Sequence, residues 1–312
     1  MPVRQFRFAV QVSALTQSPR QLADLARQAE DLGYSAVFVP DHLSADQWSP
    51  LTALAVIAQA TTVVSLGGLV FCNDYRHPLL LAQELATLHE LSQGRVEFGL
   101  GAGWMNSDYQ ASGIAMDSPG VRIDRLAEAI EILAKLFSER SCTFEGQHYK
   151  VADARLQPSR LERPPRLIVG GGGRKMLDLA ARHADIVGVN VNLASGAVGP
   201  ELVAEVGAEA FDRRIGWVRE AAGERFAEVE LQCLTFVAKV SPGAREWVAS
   251  MAPAFGLGAE DALEVPIVLA GEAGEVAETI EKRRERYGFS HWVVHQAELA
   301  EFAPVVSRLA GH

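Results

Sequence analysis

Short runs that are apolar on both faces recur along the chain, most of them followed by a stretch of helical periodicity. Eight β-type runs can be counted, at Phe6–Val12, Ser35–Val39, Val63–Phe71, Val96–Gly101, Arg166–Gly170, Asp185–Val189, Val229–Val237 and His291–His295. Runs such as Ala36-Val37-Phe38-Val39 and Leu167-Ile168-Val169-Gly170 have no polar face, which suits parallel strands covered by helices. Ser18-Pro19-Arg20-Gln21 opens the clearest helix, with a capping-box spacing and proline at the first helical position. Leu22, Leu25, Ala26, Ala29 and Leu32 then share one face, and Gly33 is placed to end it. Leu126, Ile130, Leu133 and Phe137 mark a later helix, and Gly288 stops another after Tyr287. Eight strands in alternation with helices predict a (β/α)8 barrel rather than an open doubly wound sheet.

Two segments depart from the repeat. Residues 138–165 hold a predicted hairpin around Cys142 to Tyr149 and a proline-rich return from Pro158 to Pro165. Residues 239–272 read as extra helical material ahead of the last helix and strand. Both are expected to be insertions at the barrel mouth. No linker divides the chain, so a single domain over residues 1–312 is expected; barrels often reach this length as one unit.

Composition narrows the partners. The formal charge of −10 argues against nucleic acid or an anionic membrane as the main partner, although Arg174-Lys175 and Lys282-Arg283-Arg284 allow a local anion site. Cys72, Cys142 and Cys233 are far apart and odd in number, without zinc-type spacing, so neither a disulfide framework nor a structural zinc is expected. The start, MPVRQFRFAV, carries charges inside any signal core and no long apolar run follows, so the expectation is a cytoplasmic protein.

Candidate chemistry follows the strands, at the end of a parallel barrel where ligands bind. Asp41-His42 comes after Val37-Phe38-Val39-Pro40; a carboxylate and an imidazole there can orient a ligand and move a proton, while the plainer reading is a loop that caps the next helix. Gly67-Gly68 inside the third strand indicates a bulge or a close backbone approach, or simply small residues for packing. Cys72 has no adjacent base and reads as a buried spectator thiol. Gly101-Ala102-Gly103-Trp104 lets backbone and an indole face approach a planar ligand, or merely turns the chain. Glu97 is given no catalytic role. Gly170 to Met176 leaves backbone N–H groups at a helix start with Arg174 and Lys175 beside them, an anion site that is neither a Walker loop nor GxGxxG. There is no GxSxG or HExxH, and His291 and His295 share a strand face without an acidic partner that would mark a metal site.

Four stretches together resemble the luciferase-like monooxygenase superfamily, and within it the coenzyme F420-dependent oxidoreductases. They are residues 29–43 (AEDLGYSAVFVPDHL), 73–104 (NDYRHPLLLAQELATLHELSQGRVEFGLGAGW), 169–190 (VGGGGRKMLDLAARHADIVGVN) and 283–295 (RRERYGFSHWVVH). The resemblance covers nearly the whole chain and implies a (β/α)8 barrel, often dimeric, with a flavin or deazaflavin at the carboxyl ends of the strands. It places Asp41 and His42 as the catalytic pair beside the reactive ring, and a non-proline cis peptide at Leu69-Val70 beneath it. It also implies cofactor contacts at Asn73, Gly103, Trp104 and Ser107, and a phosphate loop at Gly171, Gly172, Gly173, Arg174, Lys175 and Met176. One departure matters: the sugar-phosphate dehydrogenases of the superfamily carry a catalytic glutamate where this chain has Trp104, so their substrate chemistry does not transfer. The indole points to a more hydrophobic substrate, or to another proton donor such as His42. The expectation is hydride transfer between F420 and a small organic molecule. The alternatives are a reduced-FMN-dependent monooxygenase served by a flavin reductase, and a flavin-binding protein without catalysis.

Overall fold

The structure, a computed structural model, describes residues 4–12, 18–43, 47–157, 161, 163–193, 196 and 203–312. The strands, in chain order, are β1 (Arg7–Gln11), β2 (Ala36–Val39), β3 (Ser65–Gly68), β4 (Phe71–Cys72) and β5 (Glu97–Gly101). After a hairpin of β6 (Cys142–Glu145) and β7 (Lys150–Ala154) come β8 (Arg166–Gly171), β9 (Ile186–Val189) and β10 (Glu230–Leu234). The last three are β11 (Val237–Val240), β12 (Val268–Gly271) and β13 (Phe289–His295). The main sheet is parallel in the order β3-β2-β1-β13-β10-β9-β8-β5-β4. A bridge between Leu66 and Val96, with Leu66 N–H donating to the Arg95 carbonyl at 3.0 Å, joins β3 to β5. With β3 and β4 as halves of one broken strand, this is an eight-stranded (β/α)8 barrel.

The eight predicted runs all appear, with two revisions. The third run is split around a cis peptide at Leu69-Val70. The seventh run ends at Leu234, and its continuation, β11, leaves the barrel to pair with β12, a strand where only helix was expected. Val268-Leu269-Ala270-Gly271 is too short for periodicity to separate strand from buried helix. The Pro158–Pro165 return includes residues 158–160 and 162, which lie outside the described residues. Among the described residues no helix is long and apolar enough to cross a membrane.

The barrel interior is layered. Arg7, Glu97, Arg166 and Glu230 each begin a strand and form an ion-paired floor, Arg7 bonding Glu97 at 2.7 Å and Glu230 at 3.1 Å. Glu97 thus serves the floor, remote in role from the mouth. Burial works against ionising Glu230, but His291, Arg7 and Arg166, in that order, hold its carboxyl down at about 2. Above the floor Ala9, Ala36, Phe38, Ile168, Ile186 and Val293 form an apolar layer. The larger core lies between strands and helices, where Leu22, Ala26 and Ala29 of the helix Pro19–Asp31 and Leu126, Ile130 and Leu133 of Pro119–Ser138 are packed.

Candidate functional site

A cavity of ≈ 630 Å³ opens at the carboxyl ends of the strands. Its floor is the peptide Leu69-Val70. The Leu69 carbonyl accepts from Gln11 Nε2 at 2.7 Å, and the Leu69 N–H donates to the Val39 carbonyl at 3.0 Å. The neighbouring glycines make this shape possible. A Cβ at Gly99 or Gly101 would lie 2.6 Å from a Val70 methyl, and one at Gly67 would collide with the Glu97 carbonyl. The glycine pattern therefore serves both readings of the sequence, a broken strand and a close approach of β3 to β5.

On one side of the floor stands His42. Its Nδ1 lies 2.6 Å from Asp108 Oδ2, and Asp108 is fully buried on the short helix Asn106–Ser112. The same carboxylate accepts from Tyr75 OH at 2.9 Å and from the Leu43 N–H at 3.1 Å. Its geometry is thus held by these donors among others, and against a carboxylate Nδ1 is the protonated nitrogen, which leaves Nε2 for other chemistry. The Trp104 ring meets His42 edge-on, with centroids 6.1 Å apart and planes at 88°. Asp41 does not orient its neighbour. It takes Arg76 through two contacts, at 2.5 and 3.2 Å, and the Cys72 N–H at 2.9 Å, so it fixes the loop beyond β4 from the cavity wall. Burial pushes the Cys72 thiol up to about 12, so it stays protonated at neutral pH.

On the other side lies the glycine turn after β8. The helix Arg174–His183 begins at Gly173 with no side-chain cap from that residue, and its first turn lines the cavity. Arg214, itself buried, holds the Gly172 carbonyl through Nε at 3.1 Å. The two cations read as phosphate partners are already paired: Arg174 with Glu220 at 2.8 Å, Lys175 with Asp124 at 2.7 Å. A third cation, Arg122, stands at the same cavity. It is 3% exposed and lines the cavity, with Nη1 on the Gly103 carbonyl at 2.7 Å and Nε without a partner among the described residues.

Leu69, Val70, Gly103, Trp104 and Gly171 through Met176 all line this cavity, as do Asp41 and His42. Two expected contacts do not. Asn73 is turned away, its amide donating to Tyr149 OH at 3.0 Å, and Ser107 sits on the exposed side of its helix. Sequence reasoning missed Asp108, Arg122, Gln11 and Gln232. Gln11 and Gln232 carried a usable signal, Gln11 being two and four residues beyond the inward-facing Ala9 and Arg7 of its strand and Gln232 two beyond the inward-facing Glu230 of its own. Among the described residues no group of three or more His, Cys, Asp or Glu could hold a metal ion.

A family model described as luciferase-like monooxygenase matches residues 3–291. An F420-dependent glucose-6-phosphate dehydrogenase of Kineococcus radiotolerans is 34% identical over 186 residues, 57% of this chain and 55% of that protein. An F420-dependent hydroxymycolic acid dehydrogenase of Mycobacterium tuberculosis is 32% identical over 167 residues, 51% of this chain and 46% of that one. The chain thus spans about half the length of these curated relatives. The coenzyme F420 dependent tetrahydromethanopterin reductase from Methanopyrus kandleri superposes with a TM-score of 0.79 at 20% identity, covering 98% of this chain and 99% of that one. At that identity the likeness speaks for the fold.

Proposed function

The chain belongs to the luciferase-like monooxygenase family, and within it we propose an F420-dependent oxidoreductase that moves a hydride between the deazaflavin and a small organic substrate. One observation carries the reading. A single cavity holds a buried carboxylate–imidazole pair at one end, an uncapped helix start at the other, and the Leu69-Val70 shelf between them.

The residues fit such a cofactor. Arg122 Nε is a buried donor with no partner among the described residues, and with the N–H groups after Gly173 it would hold an anionic tail. The Leu69-Val70 peptide, backed by Gly99 and Gly101, would support the ring plane. Bound there, a deazaflavin supplies a two-electron hydride donor or acceptor. His42 gives or takes the accompanying proton at Nε2, while Asp108 keeps the imidazole in one tautomer and one orientation. Trp104, Leu193 and Phe236 line the cavity and favour an apolar substrate. The names of the two curated relatives above, both F420-dependent dehydrogenases, support the cofactor assignment. A homodimer belongs to the same proposal.

Anaerobic assay of the purified protein with F420 and a panel of uncharged alcohols and carbonyls tests the reading. Substrate-dependent change in the F420 absorbance is expected. Oxygen uptake with supplied reduced FMN, and none of that change, would replace it with the monooxygenase reading. Tight binding without turnover in either assay would leave a non-catalytic binder.

A further inference from the structure

The cavity wall carries a second polar pair that the proton-moving groups do not use. Gln232 lines the cavity although it is only 2% exposed. Its amide nitrogen lies 3.2 Å from Nδ1 of His291, which is fully buried on the neighbouring strand β13. An irregularity of the sheet makes the pair. β10 and β13 shift register after Leu231, which pairs with Phe289, so that Gln232 stands opposite His291 instead of Ser290. Irregularities of this kind recur beside binding sites because they re-aim a side chain.

An amide has a donor at one end and an acceptor at the other. With the NH2 group given to Nδ1, the imidazole carries its proton on Nε2, which has no partner among the described residues, and the amide oxygen is left to face elsewhere. A Cβ at Gly188 would lie 3.5 Å from that oxygen, and Gly188 also lines the cavity, so the absence of a side chain there keeps the oxygen uncovered. The charged groups around His291 are Arg7, Arg166, Glu230 and Glu97; burial, then Arg7, pushes its pKa down to about 4, so at neutral pH the imidazole is uncharged and has one nitrogen able to accept from Gln232.

We propose that Gln232 is a ring-recognition residue: its Oε1 accepts a hydrogen bond from the imide N–H of a flat heterocycle resting on the Leu69-Val70 shelf, and His291 is the positioning residue that fixes the amide. The inference rests on the cofactor reading above. Flavin and deazaflavin rings both carry such an N–H, so Gln232 reads the ring edge they share and does not choose between them.

The test pairs a substitution with a methylated ligand. Dissociation constants are measured by fluorescence for F420 and its N3-methylated derivative, with FMN and 3-methyl-FMN in parallel. Methylation should weaken binding to the wild type about ten- to a hundred-fold, the range for leaving a buried acceptor unpaired. In Gln232→Ala, which also makes room for the methyl, the methylated and parent ligands should bind alike. His291→Leu should narrow the ratio as well, a change that a purely structural loss would not produce because it would weaken both ligands together. Equal binding of the two ligands by the wild type, or an unchanged ratio in Gln232→Ala, would overturn the assignment and leave the cofactor reading intact. Failure of the wild type to bind either F420 or FMN would overturn both.

Discussion

Asp108→Asn is the sharpest perturbation of the proton-moving pair. In the native site the donors to the carboxylate include His42 Nδ1 at 2.6 Å, Tyr75 OH at 2.9 Å and the Leu43 N–H at 3.1 Å. An asparagine offers only one oxygen. If that oxygen stays with the Leu43 N–H, the NH2 group faces Nδ1, drives the imidazole proton to Nε2, and leaves no acceptor there for a substrate proton. If it stays with His42, two N–H donors face each other at Leu43. Either way a hydrogen bond to a charged partner is lost, worth about 1.5–3 kcal/mol. At about 1.4 kcal/mol per tenfold, turnover should fall about ten- to a hundred-fold. Cofactor affinity should change by less than about threefold, because Asp108 serves the imidazole and not the anion end of the cavity. The assay is steady-state kcat with F420, alongside an F420 fluorescence titration and a melting curve. Unchanged kcat would refute the role of Asp108, and so would a loss explained wholly by weaker cofactor binding.

His42→Ala should likewise depress turnover far more than cofactor affinity; unchanged turnover would remove His42 from the mechanism. Arg122→Ala should act the other way, raising the cofactor Kd about ten- to a hundred-fold through loss of a charge-assisted donor, and equal binding would locate the anion site elsewhere. His291 makes stability pH-dependent. Its folded pKa, about 4, lies below the reference value of 6.5, so between the two the unfolded chain binds the extra proton. Its contribution is therefore fully present above about pH 6.5 and is lost as pH falls toward 4, about 3 kcal/mol in all. Urea unfolding at several pH values should show a shallower acid decline in His291→Leu than in the wild type, and parallel curves would contradict the assignment.

Much of the fold was legible because buried parallel strands leave an unmistakable apolar run, as Ala36-Val37-Phe38-Val39 does. What escaped were departures that hydropathy does not encode. The cis peptide at Leu69-Val70 breaks a run whose pattern is continuous, and resemblance alone located it. Val268 to Gly271 is as short as one helical turn, so nothing in its pattern separated it from the helices around it. Within the site, groups on loops after strands were found because their position is diagnostic. Asp108 and Arg122 were not, since each sits on a helix among polar residues and is buried only by what the fold brings against it. Proximity in sequence did not give the side-chain partners, although Asp41, Arg174 and Lys175 do line the cavity. Asp41 adjoins His42 but holds Arg76, Asn73 follows β4 but turns to Tyr149, and Arg174 and Lys175 flank the glycine turn but face carboxylates.

The most direct test of the central claim is a fluorescence titration of the purified protein with F420 and, in parallel, with FMN. Saturable F420 binding at micromolar or tighter Kd, with little for FMN, is the predicted result. No F420 binding, or a clear preference for FMN, would contradict the account.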